Sequence, residues 1–320
     1  MDTEKTAQPF DPASFEHVPV LLNECLDGLK IDPAGTYLDG TAGGAGHSSE
    51  IAKRLTTGRL VALDKDPDAV KAASERLAPY PCAVVVQSDF SQMNGVLDRL
   101  GIDGVDGILL DLGVSSHQLD TPERGFSYMR DAPLDMRMSQ SGLSAYDVIN
   151  GYDFKELCRV FRDYGEEKFA PMIAKHILQT RTQRPIATTG ELATLISASI
   201  PARARREGGH PAKRVFQAVR IEVNGELSSL SVFLGETFER LRSGGRMAII
   251  TFHSLEDRMV KQRYAALCRG CTCPPDFPVC VCGNRPKGKL VNKKPIEAGE
   301  TELAANSRSK SAKLRIIEKL

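Results

Sequence analysis

Over the first 112 residues, continuous apolar runs alternate with amphipathic stretches. The runs are TYLD (36–39), RLVALD (59–64), CAVVVQSD (82–89) and VDGILLDL (105–112). Runs without a polar alternate face predict parallel strands buried on both sides. Between the second and third, PDAVKAASERLA puts Pro67 at a first helical turn and apolar residues at helical spacing, which predicts repeated βαβ units. GGRMAIITF (244–252) predicts a later buried strand, and SLEDRMVKQRYAAL after it a helix in which Ser254 and Asp257 resemble a capping box. From about 144 to 215 the pattern is helical, with caps such as TTGELATLISASI, so a helical insertion is expected to interrupt the sheet. A Lys/Pro/Gly-rich passage near 284–299 reads as loop.

The first strand runs into YLDGTAGGAGHSSEIAKRL (37–55), with glycines at 40, 43, 44 and 46 before a helix begins. Such a turn lets backbone approach a ligand and leaves helix N–H groups to meet it. Gly44, Gly46 and Ser49 supply only the first two glycines of the dinucleotide fingerprint G-x-G-x-x-G. Asp39 precedes the turn, where it is unfavourable beside a pyrophosphate and suited to an ammonium group. Asp64 ends the second strand, where a carboxylate accepts hydrogen bonds from a ribose diol. Asp89 and Phe90 end the third, with Phe90 placed to flank a base. S-adenosylmethionine combines an ammonium, a ribose diol and an adenine. Taken singly, these glycines serve turns and these acids cap strands; their ordered succession is what favours a nucleotide-type site.

Composition narrows the class. At 320 residues the chain exceeds a domain of ~100–200 residues, as an enlarged or interrupted domain does. Its hydrophobic fraction of 41% and charged fraction of 26% are ordinary for a soluble protein, and no apolar run approaches the ~18 residues of a membrane span. The polar start MDTEKTAQPFDPASFEH lacks a signal-peptide core, so a cytoplasmic location and reduced cysteines are expected. A net charge of +1 excludes a strongly basic coat but leaves local patches. IPARARREGGHPAKRVFQAVR gathers Arg203, Arg205, Arg206, Lys213, Arg214 and Arg220, either a phosphate-contacting surface or a solvated helix end. CRGCTCPPDFPVCVCG gathers Cys268, Cys271, Cys273, Cys280 and Cys282. Its two C-x-C pairs, Cys271/Cys273 and Cys280/Cys282, are candidate ligands for a structural zinc, although C-x-C is tighter than the usual ligand spacing. Disulfides and free thiols are the rival readings. Cys25, Cys82 and Cys158 read as small core residues.

The segment DGILLDLGVSSHQLDTPERGFSYMRDAPLDMRM (106–138) resembles the bacterial small-subunit ribosomal RNA methyltransferase H family, which methylates N4 of a cytidine in the decoding region. HVPVLLNE (17–24), RVFQAVRIEVNGEL (214–227), ITFHSLEDRMVK (250–261) and SRSKSAKLRIIEK (307–319) extend the resemblance along the chain. It implies an α/β doubly wound, Rossmann-like S-adenosylmethionine-dependent methyltransferase sheet with an inserted helical domain. The expected division is 1–135 and 216–320 for the methyltransferase domain, the latter holding the Cys-rich segment 268–282, and 136–215 for an RNA-recognition insertion. The implied partner is the small ribosomal subunit with its 16S RNA; no membrane is involved.

By motif, the resemblance carries cofactor contacts to Ala45, Gly46, His47, Asp64, Phe90, Asp111 and Gln118. RNA contacts are expected at Arg203, Arg205, Arg206, Lys213 and Arg214. Asp111 is the candidate catalytic residue, orienting or accepting from the target amine, with Ser115 and Ser116 shaping the pocket or serving the loop alone. His117 stands where the family usually has proline, which is expected to loosen the loop before Gln118. Ala45 replaces a familiar glycine, which predicts an ordinary φ there. His47 is expected to act mainly through its backbone, and His253 as a pocket residue or a structural histidine. His17, His176 and His210 carry no distinguishing pattern. The rival functions are a nicotinamide-dependent oxidoreductase, disfavoured by the missing third glycine and by Asp39, and a ribosome-assembly binding module without catalysis.

Overall fold

The four apolar runs form neighbouring parallel strands in a computed structural model of the chain, which describes residues 19–206, 209–273, 277, 279 and 281–320. They are β1 (Thr36–Asp39), β2 (Arg59–Asp64), β3 (Ala83–Gln87) and β4 (Val105–Asp111). With β5 (Leu241–Thr251), β6 (Gly288–Leu290) and β7 (Lys313–Lys319) they make one sheet in the order β3-β2-β1-β4-β5-β7-β6. β7 runs antiparallel to both β5 and β6. Successive residues of a strand point to opposite faces, so both sets are buried here. Tyr37, Leu60, Leu109 and Ile250 pack on one face, and Leu38, Val61, Ile108 and Ile249 on the other.

Helices cover both faces. α1 (Leu22–Leu29), α2 (Gly46–Ala52) and α3 (Pro67–Leu77) contribute Cys25, Ile51 and Ala73 to the first core. α4 (Met93–Arg99) contributes Met93 and Leu97 to the second. After β4 the chain makes a short helix, α5 (Ser116–Asp120), and then the helical unit. That unit comprises α6 (Ala145–Gly151), α7 (Phe154–Asp163), α8 (Ala170–Arg181), α9 (Thr189–Ser199), α10 (Ala202–Arg206) and α11 (Lys213–Asn224). Its separate core reaches from Phe126 to Val219, so the expected boundaries after 135 and 215 both fall inside it. The reason at the second boundary is local: Val215, Phe216, Ala218 and Val219 form one buried face of α11, and a helix does not change cores partway along one stripe. α12 (Glu226–Glu236), α13 (Ser254–Leu267) and α14 (Glu300–Ala305) complete the fold, α12 and α13 returning Phe233 and Tyr264 to the sheet. No helix among the described residues is long and apolar enough to cross a membrane.

The start of α13 differs from expectation. Its capping pair is His253 and Glu256, one residue earlier than Ser254 and Asp257. Ser254 Oγ donates instead to Glu166, and Asp257 takes the guanidinium of Arg315.

One buried carboxylate fastens the segment that leads from β4 into the helical unit. Asp66, 1% exposed, caps α3 by accepting from the Asp68 N–H at 3.0 Å. Its Oδ2 also accepts from Gln118 Nε2 at 2.7 Å and from Arg124 Nη2 at 2.8 Å. Arg124 donates onward to the carbonyls of Arg137 and Met138. Asn224, at the end of α11, holds the same strap by accepting from Met138 N–H and donating to Met136 O, each at 2.8 Å. Removing one partner of a buried pair strands the other's charge, so Arg124→Ala should lower stability by ~3–5 kcal/mol in urea unfolding. Arg308→Ala, which removes an exposed pair with Asp120, should cost less than ~1 kcal/mol. Equal, small losses for both would show that the strap is anchored elsewhere.

Candidate active site

The glycine turn is shaped by close approach. Gly40 donates to Leu109 O at 2.9 Å, and a Cβ there would run into the Leu110 side chain and meet Phe90 Cβ at 3.1 Å. Gly43 takes φ +51°, and its N–H donates to Asp64 Oδ2 at 2.8 Å. Ala45 takes φ +56°, not the ordinary value expected from its side chain. A left-handed alanine costs about 1–2 kcal/mol, and the buried packing of this residue and the Ala45 N–H to Ala42 O bond hold it there.

Two further expectations for the turn are corrected. Asp39 does not face a ligand: Ser48 Oγ donates to it at 2.6 Å and Thr41 N–H at 3.1 Å, and it is 1% exposed. A strand-end acid followed by a helix carrying serine is here an internal tie. The ring of His47 is engaged within the protein, more than the expected backbone role required. Nε2 lies 3.0 Å from Val20 O, and Nδ1 lies 3.8 Å from Asp111 Oδ2.

Above the carboxyl ends of β1, β2 and β4 lies a cavity of ≈ 700 Å³, where the strand order reverses between β1 and β4. Open α/β sheets bind ligands at such a switch point. Gly46, His47, Asp64, Phe90, Asp111 and Gln118 all line it; Ala45 sits behind the wall. Asp64 accepts from Gly43 N–H on one oxygen and from Asp66 N–H on the other, and burial pushes its pKa up to about 6. Phe90 follows Asp89, which caps a short turn after β3 rather than ending the strand, and its ring packs edge-on against Phe233. Gln118 is committed to the fold, with Nε2 on Asp66 and Oε1 accepting from Ser115 N–H. Ser115 Oγ in turn accepts from Gln118 N–H, a capping box that starts α5. His117 stands in this helical turn.

Asp111 is the carboxyl that the fold leaves unmatched among the described residues. Its N–H donates to Thr41 Oγ1 at 2.6 Å, yet Oδ1 is buried without a hydrogen-bond partner. Burial, and then the nearby charges of Asp39, Glu256 and Glu302, raise its pKa to about 8. It is a carboxyl that stays protonated near neutrality until something positive arrives.

The opposite wall comes from α11, α12 and α13. Arg220 donates to both oxygens of Glu226 at 2.8 Å and is an internal ion pair, not part of an open basic surface. Glu256, buried beside it, accepts from Phe252 N–H at 2.9 Å and lies 3.1 Å from His253 Nε2. Burial would raise the Glu256 pKa; His253 and Arg220 overcome this and hold it below the usual range. Sequence reasoning missed Asp66, Arg124, Glu226 and Glu256; only Glu256, three residues after His253, carried a local signal. Of the expected RNA contacts, Arg203 and Arg205 lie exposed on α10, Lys213 lines the cavity and Arg214 donates to Glu166 O. The Arg206 side chain, Cys280 and His17 lie outside the described residues. His210 stacks on Tyr128 at 4.3 Å, and His176 pairs with Ser199 Oγ.

The MraW methylase family profile matches residues 14–320. The chain belongs to the MraW methylase family. Ribosomal RNA small subunit methyltransferase H 2 of Agathobacter rectalis is 56% identical over 309 residues, covering 95% of this chain and 98% of that protein. Ribosomal RNA small subunit methyltransferase H of Symbiobacterium thermophilum is 53% identical over 310 residues, covering 96% and 98%. Among solved structures, N-methyltransferase NodS of Bradyrhizobium japonicum with S-adenosyl-L-homocysteine aligns over 93% of this chain and 85% of its own, at a TM-score of 0.39 and 10% identity. The fold of this methylase is the S-adenosylmethionine-dependent methyltransferase sheet expected from the sequence, with the helical unit following β4.

The cofactor fits the residues present. A glycine cradle that a Cβ would fill and an unpartnered buried carboxyl suit a ligand that is cationic and needs close backbone approach. The same carboxyl has a consequence for stability. Its folded pKa lies above the unfolded value of 3.8, so the folded state binds the extra proton across the window between. Ligand-free stability should therefore fall as pH rises from about 4 to about 8, and fall less in Asp111→Asn. Urea midpoints of both proteins across that window check this; parallel pH profiles would show that Asp111 is ionised in the empty site.

Proposed function

We propose that this methylase transfers a methyl group from S-adenosylmethionine to N4 of a cytidine in the decoding region of small-subunit ribosomal RNA. The observation that carries the reading is Asp111: a buried strand-end carboxyl with one oxygen unpartnered, lining the same cavity as Lys213. Support for the substrate comes from relatives at 53–56% identity named as ribosomal RNA small subunit methyltransferases.

S-adenosylmethionine supplies an electrophilic methyl on a sulfonium centre. The rest is the work of the protein. A cytosine amine is a poor nucleophile, because its lone pair is delocalised into the ring. Holding it in line with the methyl group contributes up to ~7–11 kcal/mol when geometry is ideal. Gly46, His47, Asp64, Phe90 and Gln118 form the wall that would hold the donor, and Asp111 lies at its edge. A cation nearby favours the ionised form of Asp111, which then accepts a hydrogen bond from N4–H, turns the lone pair toward the methyl and receives the proton that nitrogen sheds. The target base must leave its stack to reach this depth. Arg203, Arg205, Lys213 and Arg214, with Arg206 by sequence, form the proposed phosphate-contacting surface, and the Tyr128–His210 stack beside α11 offers an aromatic face. A structural zinc on the cysteine segment takes no part in this transfer.

Incubation of the purified chain with labelled S-adenosylmethionine and unmodified small subunits, followed by nucleoside mass spectrometry, tests the reading. N4-methylcytidine should appear with the wild type, and Asp111→Asn should lose most turnover at saturating cofactor and RNA. Cofactor binding without any methylated cytidine, on subunits or naked RNA, would replace the substrate. Normal turnover by Asp111→Asn would remove the aspartate from the chemistry.

A further inference from the structure

Between α13 and β6 the chain makes a long excursion, and no described residue from 269 to 287 is buried. Phe277, Val279 and Val281 are 52%, 69% and 72% exposed, so no apolar side chain among the described residues of the segment is buried in a core of its own. Loops of this length without secondary structure are uncommon in compact domains and need some other organising force. Yet its base is closed. Lys287 N–H donates to Leu267 O at 2.8 Å, and Asn284 Nδ2 donates to the carbonyls of Arg269 and Gly270 at 3.1 and 2.7 Å.

Within this excursion the sulfurs of Cys271, Cys273 and Cys282 lie within 4.8 Å of one another. Cys271 and Cys282 are 3.7 Å apart, sulfur to sulfur. That is far beyond the ~2.05 Å of a disulfide. It matches the roughly 3.8 Å edge of a tetrahedron whose centre lies 2.3 Å from each sulfur, the zinc–thiolate distance. Backbone N–H groups converge on the same sulfurs: Thr272 and Asn284 on Cys282, Cys273 on Cys271, and Val281 on Cys273, at 3.3–3.5 Å. Donors pointed at sulfur stabilise a thiolate over a thiol and orient its remaining lone pairs. Cys268, three residues before Cys271 at the end of α13, packs against the sheet core and is not in the group.

We propose that Cys271, Cys273 and Cys282 are three ligands of a structural zinc ion that orders this excursion, in place of a hydrophobic core. Each thiol gives up its proton on binding the ion, so the site is held by metal–sulfur bonds and by the amide donors already directed at the sulfurs. The site is remote in chemistry from methyl transfer: none of its cysteines lines the cofactor cavity. Its effect is on the order of the segment that joins α13 to the antiparallel edge of the sheet.

The test uses the full chain, expressed with zinc and purified without chelator under reducing conditions. Elemental analysis should find about one zinc per chain in the wild type and in Cys82→Ser, and most of it lost in Cys271→Ser and in Cys282→Ser. S-adenosylmethionine binding by each variant reports that the sheet is folded, so that lost metal means a lost ligand. Cobalt(II) added to metal-free wild type should give the intense near-ultraviolet absorption of thiolate-to-metal charge transfer. Less than about one zinc per two chains, zinc retained by both single variants, a disulfide linking Cys271 to Cys282, or a cobalt spectrum without the thiolate band would each overturn the proposal.

Discussion

Three carboxylates converge on one edge of the sheet, and they cannot all be charged there without help. β1 lies between β2 and β4 in parallel register, so Asp39, Asp64 and Asp111 finish their strands side by side. Like charges in a buried setting suppress one another's ionisation. The chain resolves two of the three internally. Asp39 is tied to Ser48 and Thr41, and Asp64 accepts a backbone N–H on each oxygen. Asp111 receives no such support on Oδ1 and keeps its proton. The cavity is thus short of positive charge at one defined point, which is where the proposed function brings a sulfonium cofactor and an amine substrate together.

The remaining architecture keeps that point accessible while fixing what surrounds it. The segment after β4 is tied down because Asp66, at the cap of the helix after β2, holds Gln118 and Arg124. The helical unit cannot swing away because Asn224 fastens the strap at Met136 and Met138. α11 thereby has two duties: one face buries Val215 and Val219 in the helical core, and the other brings Lys213, Gln217 and Arg220 to the cavity.

The parallel strands were legible because burial on both faces leaves an unbroken apolar run, and the glycine turn because close approach excludes Cβ. β7 was not read as a strand: KLRIIEK sits near the sheet edge with lysines and a glutamate at its ends, so its pattern is only partly apolar. β6 has three residues, too few for any period. At the site, position that depends on one strand end was legible: Asp64, Phe90 and Asp111 all line the cavity. Chemistry that depends on distant partners was not. Asp66 meets Gln118 and Arg124 across 52 and 58 positions, and no spacing rule connects them. Asp39 was misread because a carboxylate at a strand end looks the same whether it faces a ligand or a serine of the next helix. Ala45 was misread because residue type predicts φ only when the surroundings do not impose it.

On the proposed mechanism Asp111 is protonated in the ligand-free protein and ionised when the cofactor is bound. Titration calorimetry with S-adenosylmethionine near neutral pH, in buffers of different ionisation enthalpy, counts the protons exchanged on binding. With a pKa of about 8, the wild type should release most of one proton per cofactor bound, and Asp111→Asn should release little. Equal proton release by the two proteins, or none by the wild type, would contradict it.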